Sequence, residues 1–426
     1  MKSLKIKRKL NKKVKKTIKK VIKTIKKSRQ NGGGGKLLIL NPETIHIKAK
    51  DDSKLTGQKT SVGSIAWSPD GQILACAIEN DIELYSFDGN TIKLLITLKG
   101  HNGKVNSVVF SPNIEDYMLA SGSSDKTVKM WNIKTGKCIH TFKGHTDRVN
   151  CVVWMEWVVN HSKKYNRIYS GSDDTTIKIW DTDCRNMFFS CEFKITESIE
   201  NPLPKPEAIL SLSLKNVNTD VKKRDTVPLL ASSNPLKITN TIENKENKIY
   251  VQFIDNEKII INSLAWHPNL NLLAYGSNDG NIFINNFNFN LKKNSQKEKN
   301  IINESTGLGL TSINSVSWSH DGKILAFGGD GNYVILAMLT KNEPNKYEHF
   351  YKIEFTTQNS IITSLAWAPM QLENSYRLTG STTYDGVFIW DFINISSSPN
   401  SFNLTTQKAK NETNGYINVL VINEII

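Results

Sequence analysis

One six-residue phrase recurs along this chain: a β-branched residue, a variable one, Ser, an aliphatic, a small or aliphatic residue, then an aromatic. It reads VGSIAW at 62–67, VNSVVF at 105–110, VNCVVW at 149–154, INSLAW at 261–266, INSVSW at 313–318 and ITSLAW at 362–367. A weaker copy, ILSLSL, stands at 209–214 and brings the count to seven. Successive copies start 43, 44, 60, 52, 52 and 49 residues apart, as one unit would with insertions of different length.

Further short β-branched and aromatic runs follow each copy. After the second come MLASGSSD, TVKMWNI and KCIHTFKGH; after the third come RIYSGSDD, TTIKIWDT and MFFSCEF. Gly, Asp, Asn and Pro separate the runs, and no stretch of helical period interrupts them. About four strands per unit, repeated seven times, predict an all-β chain folded as a propeller of radial blades. The innermost strand of a blade is covered on both faces by its neighbours, which is why it reads almost continuously apolar.

GHNGKV…SGSSDKTVKMWN (100–132) and GHTDRV…SGSDDTTIKIWD (144–181) resemble the WD-repeat (WD40) family, and the likeness extends over roughly 57–392. It implies a seven-bladed WD40 β-propeller, here with a basic N-terminal tail. The outer repeats depart from the pattern. The first has Gly57-Gln58 for Gly-His; the fifth and sixth keep Asp279 and Asp330 without His or Trp. The last keeps Trp390-Asp391, with Asp385 one residue closer to the Trp than usual, and the unit at 209–242 has almost none of the marks. The family's N-terminal strand usually forms the outer edge of the last blade. TIHIKA (44–49) is the candidate, with YINVLVINEII (416–426) as its rival. Insertions at 155–167, 194–207, 217–226 and 288–308 are expected as surface loops.

Two constellations, His101–Ser121–Asp125–Trp131 and His145–Ser170–Asp174–Trp180, invite a hydrolase reading. They occur at matching places in a repeat, and an active site is not usually duplicated so. The resemblance implies instead a buried chain from Trp indole to Ser, Ser to His, His to Asp and Asp to the turn backbone. The second position of the hexad is Asn in four units (Asn106, Asn150, Asn262, Asn314) and Gly63, Leu210 or Thr363 elsewhere. One reading is local turn hydrogen bonding. The other is a polar rim at the channel mouth, joined by Lys104, Ser124, Arg148, Asp173 and Asn278, that reads a peptide or loop through amide hydrogen bonds.

The formal charge of +15 is confined to one place. Residues 1–36 hold sixteen Lys or Arg and no acid, leaving 39 basic and 40 acidic side chains in the rest. Ile6, Leu10, Val14, Ile18, Val21 and Ile25 recur at helical steps among Lys5, Lys7, Arg8, Lys9, Lys12, Lys13, Lys15, Lys16, Lys19 and Lys20. Such a stretch suits nucleic acid or nuclear import, an anionic membrane, or a tail without a fixed partner. GGGG at 32–35 reads as a hinge. Five cysteines without CxxC spacing fit a reducing, intracellular setting, cytoplasmic or nuclear, and the histidines show no ligand spacing; no metal or cofactor is expected. No run of about 18 apolar residues suggests a membrane span.

These features predict three segments: a tail at 1–36, a propeller at 37–395, and a polar linker with a terminal strand at 396–426. The expected role is a non-enzymatic scaffold for protein partners, monomeric within a larger complex, with the basic arm contacting nucleic acid or an anionic surface. The alternatives are a small-molecule propeller enzyme and a ubiquitin-ligase substrate receptor. The family's adaptor-docking Arg, two residues after Trp-Asp, is missing: Thr182-Asp183 and Phe392-Ile393 stand there.

Overall fold

The computed structural model describes residues 37–45, 61–87, 92–159, 163–182, 195–199, 208–220, 225–233, 237–240, 259–287, 300–305, 310–331, 333–339, 347–354, 361–369, 375–383 and 386–394. Among these residues the chain is β-structure throughout, apart from one 3-10 turn at Ile114–Asp116. The strands form seven antiparallel sheets, six of four strands and one of three. The second sheet shows the plan: Val105–Phe110, Met118–Ser123, Thr127–Asn132 and Lys137–Lys143 pair in chain order. The three-stranded sheet is the fourth, Leu212–Asp220, Asp225–Ser232 and Lys237–Asn240.

The recurring hexads are the first strands of the sheets. Each first strand packs on that of the following sheet, and the seventh, Ile362–Trp367, packs on the first, Val62–Trp67. The row of inner strands therefore closes on itself as a β-propeller. Between neighbouring sheets lie seven apolar clusters, and each draws side chains from two sheets. One of them joins Ala120, Val128, Met130 and Phe142 to Val149, Val152, Trp154, Ile168 and Trp180. Stacking of this kind is what an apolar strand with two covered faces requires.

Ser at hexad position three forms the seam. Its hydroxyl accepts the backbone N–H of position four in the next sheet: Ser64 from Val108 (3.3 Å), Ser107 from Val152 (3.1 Å), and Ser211 from Leu264 (3.0 Å). Ser263 takes Val316 (3.0 Å), Ser315 takes Leu365 (2.9 Å), and Ser364 closes the circle on Ile65 (3.4 Å). The remaining junction, between sheets three and four, has Cys151. Its Sγ lies 3.9 Å from the Gly171 carbonyl and 4.0 Å from that of Ile209. Burial raises this thiol's pKa to about 12.

Several expectations are corrected here. The outer strand of the seventh sheet is Leu37–Ile45, paired with Val387–Asn394, rather than 44–49. The fourth strand of sheet three is Ile195–Ile199; MFFSCEF lies outside the described residues. Residues 155–167 are not a loop: Val149–Val159 and Lys163–Ser172 make one long hairpin, paired as far as Val159 and Lys163. Residues 217–226 form a second such hairpin, paired as far as Asp220 and Asp225. Strand-forming residues on both arms let a hairpin outgrow its sheet. The insertion at 288–308 likewise contains a strand, Asn300–Ser305. The tail at 1–36, residues 396–426 and Asp385 lie outside the described residues.

Candidate interaction surface

The loop entering sheet two and the turn between its second and third strands bring His101, Ser121, Asp125 and Trp131 together. Trp131 Nε1 donates to Ser121 Oγ at 2.8 Å, Ser121 Oγ is 2.8 Å from His101 Nε2, and His101 Nδ1 is 2.8 Å from Asp125 Oδ2. Asp125 also accepts the N–H groups of Asn102 and Thr127 and the Thr127 hydroxyl. Sheet three repeats the set. Trp180 Nε1 donates to Ser170 Oγ at 2.8 Å, His145 Nε2 lies 2.8 Å from Ser170, and His145 Nδ1 lies 2.7 Å from Asp174 Oδ2. Because an ionised carboxylate only accepts, the proton sits on Nδ1 and the donors run in one direction, Trp to Ser to His to Asp.

Both imidazoles and both serines are fully shielded from solvent. Burial alone raises the Asp174 carboxyl, but hydrogen bonds from Thr176, Thr146 and His145 reverse this and bring it to about 2. Burial likewise raises Asp125, and its bonds from His101, Thr127 and Asn102 carry it well below the usual carboxylate range. His145 is held below its ordinary pKa by burial, against the pull of Asp174. Each Ser hydroxyl is committed and none faces a cleft, so neither set can present a nucleophile.

Sheet register identifies the equivalent positions elsewhere. Trp131 sits opposite Leu119; Tyr85, Asn285, Ala337 and Trp390 sit opposite Leu74, Leu273, Leu325 and Leu378. In the fifth sheet, buried Asn285 donates to the Tyr275 hydroxyl at 3.2 Å, a polar pair in place of Trp–Ser. In the sixth, Phe327 and Ala337 fill the space with carbon.

The rim residues are occupied within the ring. Every inner strand of hexad sequence that begins at position one has a register shift there, as between Val105 and Ser107 or Ile313 and Ser315. The residue at position two is thus the extra residue of a β-bulge, which turns its side chain out of the ladder. Asn106 Nδ2 donates to the Val149 carbonyl (2.8 Å), Asn150 to Ile209 (3.2 Å), Asn262 to Ile313 (3.2 Å) and Asn314 to Ile362 (3.3 Å). Each acceptor is position one of the next sheet. Asn106, Asn150 and Asn262 give their other amide hydrogen to Ser124, Asp173 and Ser312. Thr363 Oγ1 lies 2.8 Å from Ser381 Oγ. Arg148 donates to Asp173, and Asn278 Oδ1 accepts the Ile260 N–H at 3.0 Å. The bonds to position one of the next sheet join neighbouring blades, whereas Asn106 to Ser124 and Asn150 to Asp173 stay within a sheet and tie the local turn, so these side chains do both. Lys104 is exposed and makes no side-chain hydrogen bond or ion pair among the described residues.

Sequence reasoning missed Lys215. Its buried ammonium reaches from sheet four into the first turn of sheet five and donates to the carbonyls of His267 and Leu270, both at 2.8 Å, with Pro268 at 3.5 Å. His267 Nδ1 in turn accepts the N–H groups of Asn269 (3.0 Å) and Leu270 (2.9 Å). Burial and the nearby Lys215 charge lower this imidazole to about 4. Nothing in the hexad signals a buried lysine one residue beyond it.

Comparison with known proteins agrees with this architecture. Residues 50–90, 92–132 and 136–181 match the family described as WD domain, G-beta repeat. Residues 264–370 match the anaphase-promoting complex subunit 4 WD40 domain. The chain carries WD40 repeats and is a WD-repeat β-propeller protein. It is 38% identical over 85 residues to eukaryotic translation initiation factor 3 subunit I of Aspergillus oryzae, covering 20% of this chain and 24% of that one. It is 38% identical over 93 residues to the U5 small nuclear ribonucleoprotein 40 kDa protein of Dictyostelium discoideum, covering 22% and 25%. WD repeat-containing protein AAC3 of the same organism is 33% identical over 103 residues, covering 20% and 21%. The matched stretches thus span about a quarter of these curated relatives. No helix among the described residues is long and apolar enough to cross a membrane.

Proposed function

We propose that the chain is a seven-bladed WD40 scaffold, without catalytic activity, that docks other proteins on the face carrying the His101 and His145 loops. The observation that carries this is the commitment of both Ser–His–Asp sets to buried structural chains. What remains for a partner on that face is exposed side chains, Asn102, Lys104, Lys126, Asp147 and Arg148. Two of the relatives are named as parts of larger assemblies, a subunit of eukaryotic translation initiation factor 3 and a 40 kDa protein of the U5 small nuclear ribonucleoprotein. A cytoplasmic or nuclear subunit role fits that company. Residues 1–36 are the second functional element, a basic arm for nucleic acid or an anionic surface, joined to a body at 37–395 and followed by a segment at 396–426.

Native complexes isolated through the full chain test the docking face. Lys104→Glu and Lys126→Glu together should release a stoichiometric partner and leave the melting temperature unchanged; retention of every partner would overturn the assignment. Deleting residues 1–36 should abolish binding to DNA, RNA or anionic vesicles, with a salt dependence that disappears alongside. Unchanged binding would remove the arm from the proposal.

A further inference from the structure

The fourth strands of sheets one and two, Ile92–Leu98 and Lys137–Lys143, are outer edges of the ring, and both carry a bulge at the same place. In sheet one Leu84 pairs with Ile96 and Tyr85 with Leu94, which leaves Leu95 as the extra residue. In sheet two Met130 pairs with His140 and Trp131 with Cys138, which leaves Ile139. A bulge breaks the ladder and re-aims the side chain it adds. Leu95 is 51% exposed and Ile139 40%. Sheet three repeats the bulge with Thr196, so the backbone device belongs to the repeat and the exposed aliphatics do not follow from it.

The two edges form one surface. The turn at 134–136, which opens the edge strand of sheet two, rests on the edge strand of sheet one: a Cβ on Gly136 would stand 2.4 Å from Ile96 Cδ1. Ile139 follows Gly136 by three residues, and Leu95 adjoins Ile96. The aliphatic pair therefore lies within roughly 20 Å, the reach of about six extended residues.

Around this pair the charge has one sign. Residues 92–99 and 134–143 hold five lysines and no Asp or Glu, in a body whose charges otherwise nearly cancel. Lys93, Lys137 and Lys143 are exposed on the edge strands themselves, while Lys99 is bridged to Asp81 at 3.4 Å. The other described acids of these sheets are held elsewhere: Glu83 accepts from the Tyr85 hydroxyl, Asp116 from Ser111, Asp70 from Ser68, and Asp125 lies in the buried chain. Glu79 and Glu115 sit in turns beyond the strand ends.

Charge and carbon together select the occupant. A second copy would bring lysines to lysines, and so would residues 1–36, which contain no acid. Nucleic acid would use the lysines and gain nothing from Leu95 and Ile139. The exposed ring of these sheets, Tyr117, already lies under Lys134, whose Nζ is 3.2 Å from its centroid, so it is not free to stack a base. Carboxylates interleaved with aliphatic side chains match both features.

We propose that the outer edges of sheets one and two bind an acidic, extended segment of a partner protein. The segment crosses from one edge to the other, sets aliphatic side chains on Leu95 and Ile139, and places carboxylates on Lys93, Lys137 and Lys143. The bulges interrupt both edges, so recognition is by side chains rather than by an added strand. This surface is separate from the His101 face, and the inference stands whether or not that face docks partners.

The test uses the full chain and two fluorescent probes, a short peptide of alternating Glu and Val and an oligoglutamate of equal charge. The basic tail attracts both alike, so the difference between them is the readout. The alternating peptide should bind at least about tenfold more tightly. Leu95→Ser with Ile139→Ser should remove that preference, and Lys93→Glu with Lys137→Glu should weaken the alternating peptide about tenfold or more, each with an unchanged melting temperature. A photo-crosslinking amino acid at position 139 should capture the alternating peptide. Equal binding of the two peptides, a preference that survives the serine changes, or capture of oligothymidylate in place of the peptide at position 139 would each overturn the inference.

Discussion

Thr363 Oγ1 donates to the carbonyl of Val62 at 2.6 Å, across a sequence separation of 301 residues. The bond belongs to the same series as Asn106 to Val149 and Asn314 to Ile362. With the Ser364 hydroxyl, which takes the N–H of Ile65, it fastens the last sheet to the first.

Removing this fastening should destabilise the whole ring. Thr363→Val leaves the Val62 carbonyl without its donor, and Ser364→Ala leaves the Ile65 N–H without its acceptor. A buried bond lost in this way costs about 1–3 kcal/mol. Chemical denaturation of each variant should show that loss. The double variant should be less than additive, because the two bonds share one junction.

Asp174→Ala should cost about 1–3 kcal/mol through the groups it leaves unpaired, His145 Nδ1 and the Thr146 and Thr176 N–H groups. Asp125→Ala should behave alike in sheet two. Partner binding should persist at temperatures where either variant stays folded. Loss of binding without loss of stability would show that the buried chains act on the surface.

Cys151→Ser should stabilise the protein, by about 0.5–1.5 kcal/mol. The change offers the Leu212 N–H the hydroxyl that six junctions already provide. In the wild type, Cys151 and Cys76 are buried thiols whose pKa values are raised by desolvation, whereas Cys138 is exposed. Of these three, Cys138 should therefore be alkylated first in the folded protein. A lower denaturation midpoint for Cys151→Ser would refute the seam account.

Stability should decline in acid in two stages. His267 is lowered to about 4 against an ordinary 6.5. The unfolded chain thus takes the proton first, and stability is lost as pH falls from 6.5 toward 4. Asp174, lowered from 3.8 to about 2, adds a second loss as pH falls through that lower interval. Urea midpoints measured against pH should show both slopes. His267→Asn should flatten the upper one, with His145 and His140, both also lowered by burial, supplying what remains.

The repeat was legible because stacking demands the same apolar phrase from every inner strand. The Ser–His–Asp–Trp sets were legible because a buried chain tolerates few substitutes. The purpose of the Asn was not. Its role depends on a bulge, and a bulge appears only when two strands are placed in register, as between Val105 and Ser107. Hairpin lengths also escaped: Trp157, Val158 and Val159 carry the first arm outward, but the polar run at 160–164 reads as loop. Lys215 was invisible because its carbonyl acceptors belong to another sheet. Asn285 with Tyr275 shows that a degenerate repeat can rebuild a polar pair from other side chains, which a motif search passes over.

The strand Leu37–Ile45 emerges early in synthesis, but its partner Val387–Asn394 follows about 340 residues later. At about 5–20 residues per second the delay is roughly 20–70 s. Throughout that interval the nascent chain carries an unpaired β edge on a ring that cannot yet be completed. Any ribosome pause or truncation before residue 387 leaves an open arc rather than a smaller propeller.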